Sequence, residues 1–403
     1  MLCHVPMPQT KHKWITRNLI VLSLVSFTQD AASELMYPLM PLFLTGVLAA
    51  PAIVLGIVEG AAEVTAGISK YFAGKASDRI GSKVLITSGY AFAGIGKIFV
   101  ASAVVWPMVL FGRMIDRVGK GIRSAPRDAL ITKTVEPSHY ARAFGFHRSA
   151  DTFGAVLGPI VALVGLAVLD NDVRAVMWWA VIPAVLSVLI SLLVQDIRIN
   201  KPKENVDGAA DKLDPLPRPF WLAAIPFVIF ALTNLPDTLL LLRLSQLGTS
   251  MTNVVVAYIG FNLVYTFAAY PAGIIADRLS PYTVYAIGLA AFALTYITIG
   301  QLTGPSPVMY VAVALYGFFP ALTDGIGKAV VSHTVPKTMH GRAQGVFQSL
   351  SGGSILIAGI WAGLLWSNGD GHGSLPMTIA GALAGVGAIV LLVMHSTRPL
   401  EEH

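Results

Sequence analysis

Residues 111–131 read FGRMIDRVGKGIRSAPRDALI and follow an apolar lead, VVWPMVL, at 104–110. The stretch carries Arg113, Asp116, Arg117, Lys120, Arg123, Arg127 and Asp128. At about 100° per residue these side chains fall within an arc of roughly 140° on one helix. Met114, Ile115, Val118, Ile122 and Ala125 take the other face. Such a helix could lie on a membrane surface, stand in water, or line a polar path through a bilayer. Every flanking segment is a candidate span, and a helix needs about 20 residues to cross. Arg113, Asp116 and Arg117 are therefore expected at membrane depth. A charge there costs about 2.5–3.5 kcal/mol on insertion scales, and it persists where it is paired or faces water. The polar-path reading is the one the surroundings favour.

Composition agrees. Of 403 residues, 55% are hydrophobic and 12% charged, where a soluble domain has about 25% charged. The chain reads as an all-α integral membrane protein. Its net charge of +6 does not point to nucleic acid, because the cations gather in loops between apolar spans. Cys3 stands alone, which excludes an intramolecular disulfide and a multi-cysteine metal site. The basic start leads into an apolar run with no small-residue cleavage site, so it reads as an uncleaved first helix. No P-loop, H-E-x-x-H or G-x-S-x-G is present. The reading is of a non-enzyme without cofactor or metal, driven by an ion or solute gradient or running passively, and not by ATP.

Twelve spans can be laid along the chain: 17–44, 52–72, 84–104, 105–125, 141–166, 175–194, 220–241, 253–275, 283–302, 308–331, 343–364 and 377–394. A polar stretch from Asp196 to Arg218 separates the sixth from the seventh. This divides the chain into an N-terminal six-helix bundle (1–195), a linker (196–218) and a C-terminal six-helix bundle (219–403). Lysines and arginines crowd one set of loops, among them Lys11, Lys13, Lys75, Lys83, Lys133, Lys201, Lys203, Lys337 and Arg398. The other set holds only Arg174, with Arg243 near a span end. The asymmetry puts both termini and the linker in the cytoplasm. The two halves also repeat. Tyr71, Ala73, Gly74, Asp78, Arg79 and Val84 recur as Tyr270, Ala272, Gly273, Asp277, Arg278 and Val284, and Thr134, Val135, Arg142, Ala143 and Gly145 recur as Thr334, Val335, Arg342, Ala343 and Gly345. Parallel repeats of this kind mark two-halved transporters.

On these residues the chain resembles the major facilitator superfamily over essentially its full length. The loop Gly74-Lys75-Ala76-Ser77-Asp78-Arg79-Ile80-Gly81-Ser82-Lys83 is similar to that family's G-x-L-a-D-r-x-G-r-K loop, departing at Ala76 and Ser82. Gly154-Ala155-Val156-Leu157-Gly158-Pro159 resembles the Gly-x-x-x-Gly-Pro of proton-driven exporters, though Ala162-Leu163 replace the glycine pair that usually completes it. Arg113 matches the arginine of the family's fourth-span motif. The resemblance implies twelve helices in two pseudo-symmetric bundles, with spans one, four, seven and ten lining a cavity. It further implies a conformational latch in which Asp78 meets the start of span eleven. By the repeat, Asp277 would meet the start of span five, and Gly74, Arg79, Gly81 and Arg278 complete the latch. Gly154, Gly158 and Pro159 are expected at a close helix contact.

Acids and bases recur at membrane depth. Asp30 and Glu34 sit four apart on span one, as do Glu59 and Glu63 on span two. Asp151 lies on span five; Asn234, Asp237 and Asp324 are the second half's sparser share. Asp30, Glu34, Glu63 and Asp151 are the proton-coupling candidates, with Asp30 and Glu34 expected to act as a coupled pair. Arg113, Asp116, Arg117, Lys120, Asn234, Asp237 and Asp324 are the substrate-cavity candidates. Glu34 could equally be structural glue for Arg113 or Arg117. Lys97 is expected in a structural pair and His147 in water. The expected function is secondary active transport of a small anionic, zwitterionic or amphiphilic solute by a monomer in the cytoplasmic (inner) membrane, with protons as the coupling partner and export by antiport preferred. Proton-coupled uptake, a lipid flippase and a non-transporting scaffold or sensor are the alternatives.

Overall fold

The structure is a computed structural model that describes residues 15–135, 140–196, 215–336, 339–368 and 371–396. The expected linker at 196–218 falls mostly outside the described residues. The described residues are helical throughout, joined by short turns. Thr16 caps the first span, its Oγ1 accepting from the Leu19 N–H at 3.2 Å. That span begins as Arg17–Met36 and changes pitch at two prolines: a 3₁₀ turn at Tyr37–Leu39, one α-turn at Met40–Leu42, and a π segment at Phe43–Val47. Each proline lacks an N–H, so the ladder must re-pitch there. The second and third spans, Ile53–Ile80 and Ser82–Ala101, meet at Gly81, whose φ of +89° suits glycine. The fourth is Trp106–Thr134; its helix continues past 125, as expected for this span, and carries Pro126 inside it. The fifth is Tyr140–Val168, and the sixth is Val173–Trp179 with Val181–Ser191.

The seventh span departs from expectation. The sequence reads as one continuous span over 220–241, but the helix divides into Arg218–Ala231 and Asp237–Gln246. Pro236 disfavours helix at the residue before it and ends the ladder. The freed carbonyls find side-chain donors: Trp361 Nε1 donates to Leu232 O at 3.0 Å and Tyr296 Oη to Leu235 O at 3.3 Å. Met251–Arg278 and Pro281–Gln301 follow, then Pro307–Tyr316 with Phe318–His333, and finally His340–Asn368 and Ser374–Ser396. Among the described residues, nine runs are long and apolar enough to cross a membrane by length and composition. The second and fourth are as long, at 28 and 29 residues, but carry charges along their length.

Packing follows small residues. The first span lies along the fifth, the third along the fourth, the ninth along the twelfth, and the second along the eleventh. At the second–eleventh seam a Cβ on Gly56 would strike the Gly359 backbone, and one on Gly60 or Gly363 would strike Leu356 or Ile53. Gly154 and Gly158 face the first span's backbone at Phe27 and Ala31 in the same way. At the end of the bundle where the first and second spans join, the Met40–Leu42 turn packs on Asp237–Gln246. Met40, Phe43, Leu44, Leu239, Leu240 and Leu244 are all buried there, so this end is sealed by apolar side chains from both halves of the chain.

Candidate functional site

The fourth span's charges separate by what they meet. Arg113 is buried, and its Nη2 donates to both oxygens of Glu59 on the second span at 2.8 and 2.6 Å. Its guanidinium lies 5.9 Å from the Tyr37 ring centre. Asp116, also buried, accepts from Lys97 Nζ on the third span at 3.0 Å and lies 3.9 Å from Arg113 Nη1. Arg113 and Asp116 were expected to face the cavity; neither lines it. A charge sunk among helices takes the nearest opposite charge, and the second and third spans supply Glu59 and Lys97. Arg117 and Lys120, further along, do reach the cavity. Arg117 Nη2 pairs with Glu63 Oε1 at 3.3 Å, and Lys120 is exposed. Arg123 stacks on Tyr90, 4.5 Å from its ring centre.

The cavity holds about 420 Å³ between the two halves, within the usual range for small-molecule sites. Glu59, Glu63, Arg117 and Lys120 form one wall. The opposite wall has Asn234 and Asp237 from the break in the seventh span, and Asp324 from the tenth. Aromatic rings lie among the second half's polar groups: Phe227, Phe230, Tyr285, Phe292, Phe319 and Phe347. Asp237 Oδ1 accepts from Tyr316 Oη at 2.6 Å, and Asp324 Oδ2 from Tyr265 Oη at 3.3 Å.

Asp30 and Glu34 do not line this space, although the first span contributes Tyr37 to it. Nor do they bond to one another. Glu34 Oε2 accepts from Tyr258 Oη of the eighth span at 2.6 Å, a contact that crosses from one half of the chain to the other. That tyrosine, and not an arginine, is Glu34's bonded partner. The rings of Tyr37 and Tyr258 stand 5.6 Å apart beside it. Asp30 has Asp151 of the fifth span as an acidic neighbour. Asp151 accepts from Ser26 Oγ at 2.5 Å and Arg148 Nη1 at 3.4 Å. His147, expected in water, is buried with Nδ1 3.5 Å from Ser23 Oγ. The side chains of Asp78, Arg79, Asp277 and Arg278, and the surroundings of Gly74, lie outside what the structure describes, so of the expected latch only Gly81 is seen.

Reading the sequence missed the tyrosines. Tyr258, Tyr265 and Tyr316 each hold a carboxylate, yet a tyrosine in a membrane helix reads first as an interface aromatic. The available signal was depth, since Tyr258 and Tyr265 stand seven residues apart on one helix face, well inside their span.

The family model for the Major Facilitator Superfamily matches residues 22–261 and 227–403. An uncharacterized MFS-type transporter of Methanocaldococcus jannaschii, MJ1317, is 26% identical over 359 residues, covering 87% of this chain and 89% of that protein. The multidrug resistance protein MdtH of Photorhabdus laumondii is 28% identical over 142 residues, 35% of each chain. Among solved structures, the nucleoside transporter NupG superposes with a TM-score of 0.75 at 14% identity, covering 95% of this chain and 100% of that one. With its helical architecture, its apolar spans and a match running nearly end to end, the chain belongs to the Major Facilitator Superfamily.

Proposed function

We propose that this membrane transporter is a proton-coupled antiporter that exports a small charged solute by alternating access. Its two bundles, 1–195 and 219–403, rock about the cavity, and 196–218 links them. Both termini are cytoplasmic, the sealed end faces outward, and solute loads from the cytoplasm. The observation that carries the coupling is the Glu34–Tyr258 hydrogen bond at 2.6 Å. A carboxylate that can take a proton here also makes a contact between halves, so its proton and the conformation are linked. Lys120, Arg117 and Arg113 of the fourth span act on the same carboxylate, as does Tyr258. Asp30 and Asp151, neighbouring acids of the first and fifth spans, offer a second place for a proton. The partial likeness to MdtH, named for multidrug resistance, supports export over uptake.

Reconstitution into liposomes tests this. A solute found by thermal stabilisation of the purified protein should accumulate against its gradient when a pH gradient is imposed. Glu34→Gln and Asp30→Asn should abolish that accumulation and leave downhill exchange measurable. If both variants keep full proton-driven transport while Glu63→Gln does not, the coupling carboxylate is on the second span.

A further inference from the structure

Two charges in the cavity have no opposite charge bonded to them among the described residues. Lys120 lines one wall, exposed to the space, and its Nζ meets no carboxylate at bonding distance. The nearby acid Glu63 is already paired with Arg117 at 3.3 Å. Asp237 lines the other wall at the first residue of the Asp237–Gln246 helix. Its partner is the neutral Tyr316 hydroxyl at 2.6 Å. A hydroxyl and a helix N-terminus hold a carboxylate in place, but they do not cancel its charge. Phe227, Phe230, Phe292 and Phe319 line the same cavity.

A cavity-lining charge that no opposite charge bonds directly is open to a charged group of a solute. A solute negative at one end only would leave Asp237 without a bonded counter-charge, and a cation alone would leave Lys120 without one. We infer that the cavity selects zwitterions whose opposite charges stand at separated ends of an apolar body. The negative end takes Lys120, the positive end takes Asp237, and the body lies on the aromatic faces. Lys120 belongs to the first half of the chain and Asp237 to the second, so such a solute ties the halves together only when both ends are engaged. Singly charged analogues cannot make that tie. The inference rests on the transporter reading above for its site, but not on protons as the coupling ion.

The test is equilibrium binding to the purified protein in detergent at fixed pH, using one scaffold with one charge removed at a time. The probes are L-phenylalanyl-L-phenylalanine, its N-acetyl derivative (anion only) and its C-terminal amide (cation only). The zwitterion is expected to bind about tenfold more tightly than either capped form, one charge-assisted contact's worth. Lys120→Gln should erase the preference over the amide and keep the preference over the N-acetyl form. Asp237→Asn should do the converse. Lys120→Arg and Asp237→Glu, which keep the charges, should retain both preferences and show that the folded site survives substitution. Equal binding by a capped form, wild-type preferences in the neutralised variants, or no binding by any of the three probes overturns the inference. No membrane or gradient enters these measurements. A failure of proton coupling in liposomes therefore leaves their result standing, and the converse holds too.

Discussion

Arg113 and Glu59 illustrate how residues at membrane depth settle their charges. Both are buried and joined through two short contacts at 2.6 and 2.8 Å. Removing one member of such a pair strands the other, at a cost of about 3–5 kcal/mol, whereas apolar replacement of both is often close to neutral. Glu59→Gln or Arg113→Met alone should therefore lower thermal stability in detergent sharply. The double variant Glu59→Leu with Arg113→Met should recover most of the loss. Additive losses in the double variant would mean that the two side chains act independently. The charges themselves were legible in the sequence, because charged residues between apolar runs stand out. Their partners were not. Spacing along one helix says which face a side chain takes, but not which neighbouring helix offers Glu59, Lys97 or Tyr258.

The second and eleventh spans meet as elements through their glycines. Gly56 and Gly359 touch backbone to backbone, so even one methyl group must push the helices apart. Overpacking of this kind costs about 1–3 kcal/mol. Gly56→Ala should therefore disfavour the conformation with the apolar seal closed. In a Cys3→Ser background, maleimide labelling of Leu240→Cys, a position buried in that seal, should quicken several-fold. Unchanged labelling would place the movement elsewhere. Helix ends and joints show where sequence reading succeeds and fails. Most spans were placed by hydropathy, because a bilayer demands long apolar helices. The break in the seventh was overlooked, although Asn234 and Pro236 signal it, because apolar residues on both sides gave one continuous stretch. Its carbonyls are satisfied by Trp361 and Tyr296 from other spans, which no local pattern can announce.

At the scale of the whole molecule, internal repetition made the two-halved plan legible before any coordinates. What it could not supply was the contact between halves. Tyr258→Phe removes the hydroxyl that reaches Glu34, a bond to a charged group worth about 1.5–3 kcal/mol. Labelling at Leu240→Cys should again rise, while solute affinity stays close to that of the parent, since Tyr258 is not in the cavity wall. A fall in affinity matching the change in labelling would place Tyr258 in the binding site instead. Arg243 carries a different consequence. It looked in the sequence like a stray cation on the side of the membrane where cations are scarce. It is buried, and its guanidinium donates to the carbonyls of Ile299, Gly300, Leu302 and His372 at 3.4, 3.2, 2.6 and 2.9 Å. One side chain thus moors the second piece of the seventh span to the end of the ninth and to the turn before the twelfth. That corner of the molecule is a plate. In the alternating-access cycle proposed above, this plate would swing as a unit on the unwound stretch from Leu232 to Pro236, of which Thr233 to Pro236 line the cavity itself. A solute bound there would then sit against the hinge of the door it must pass.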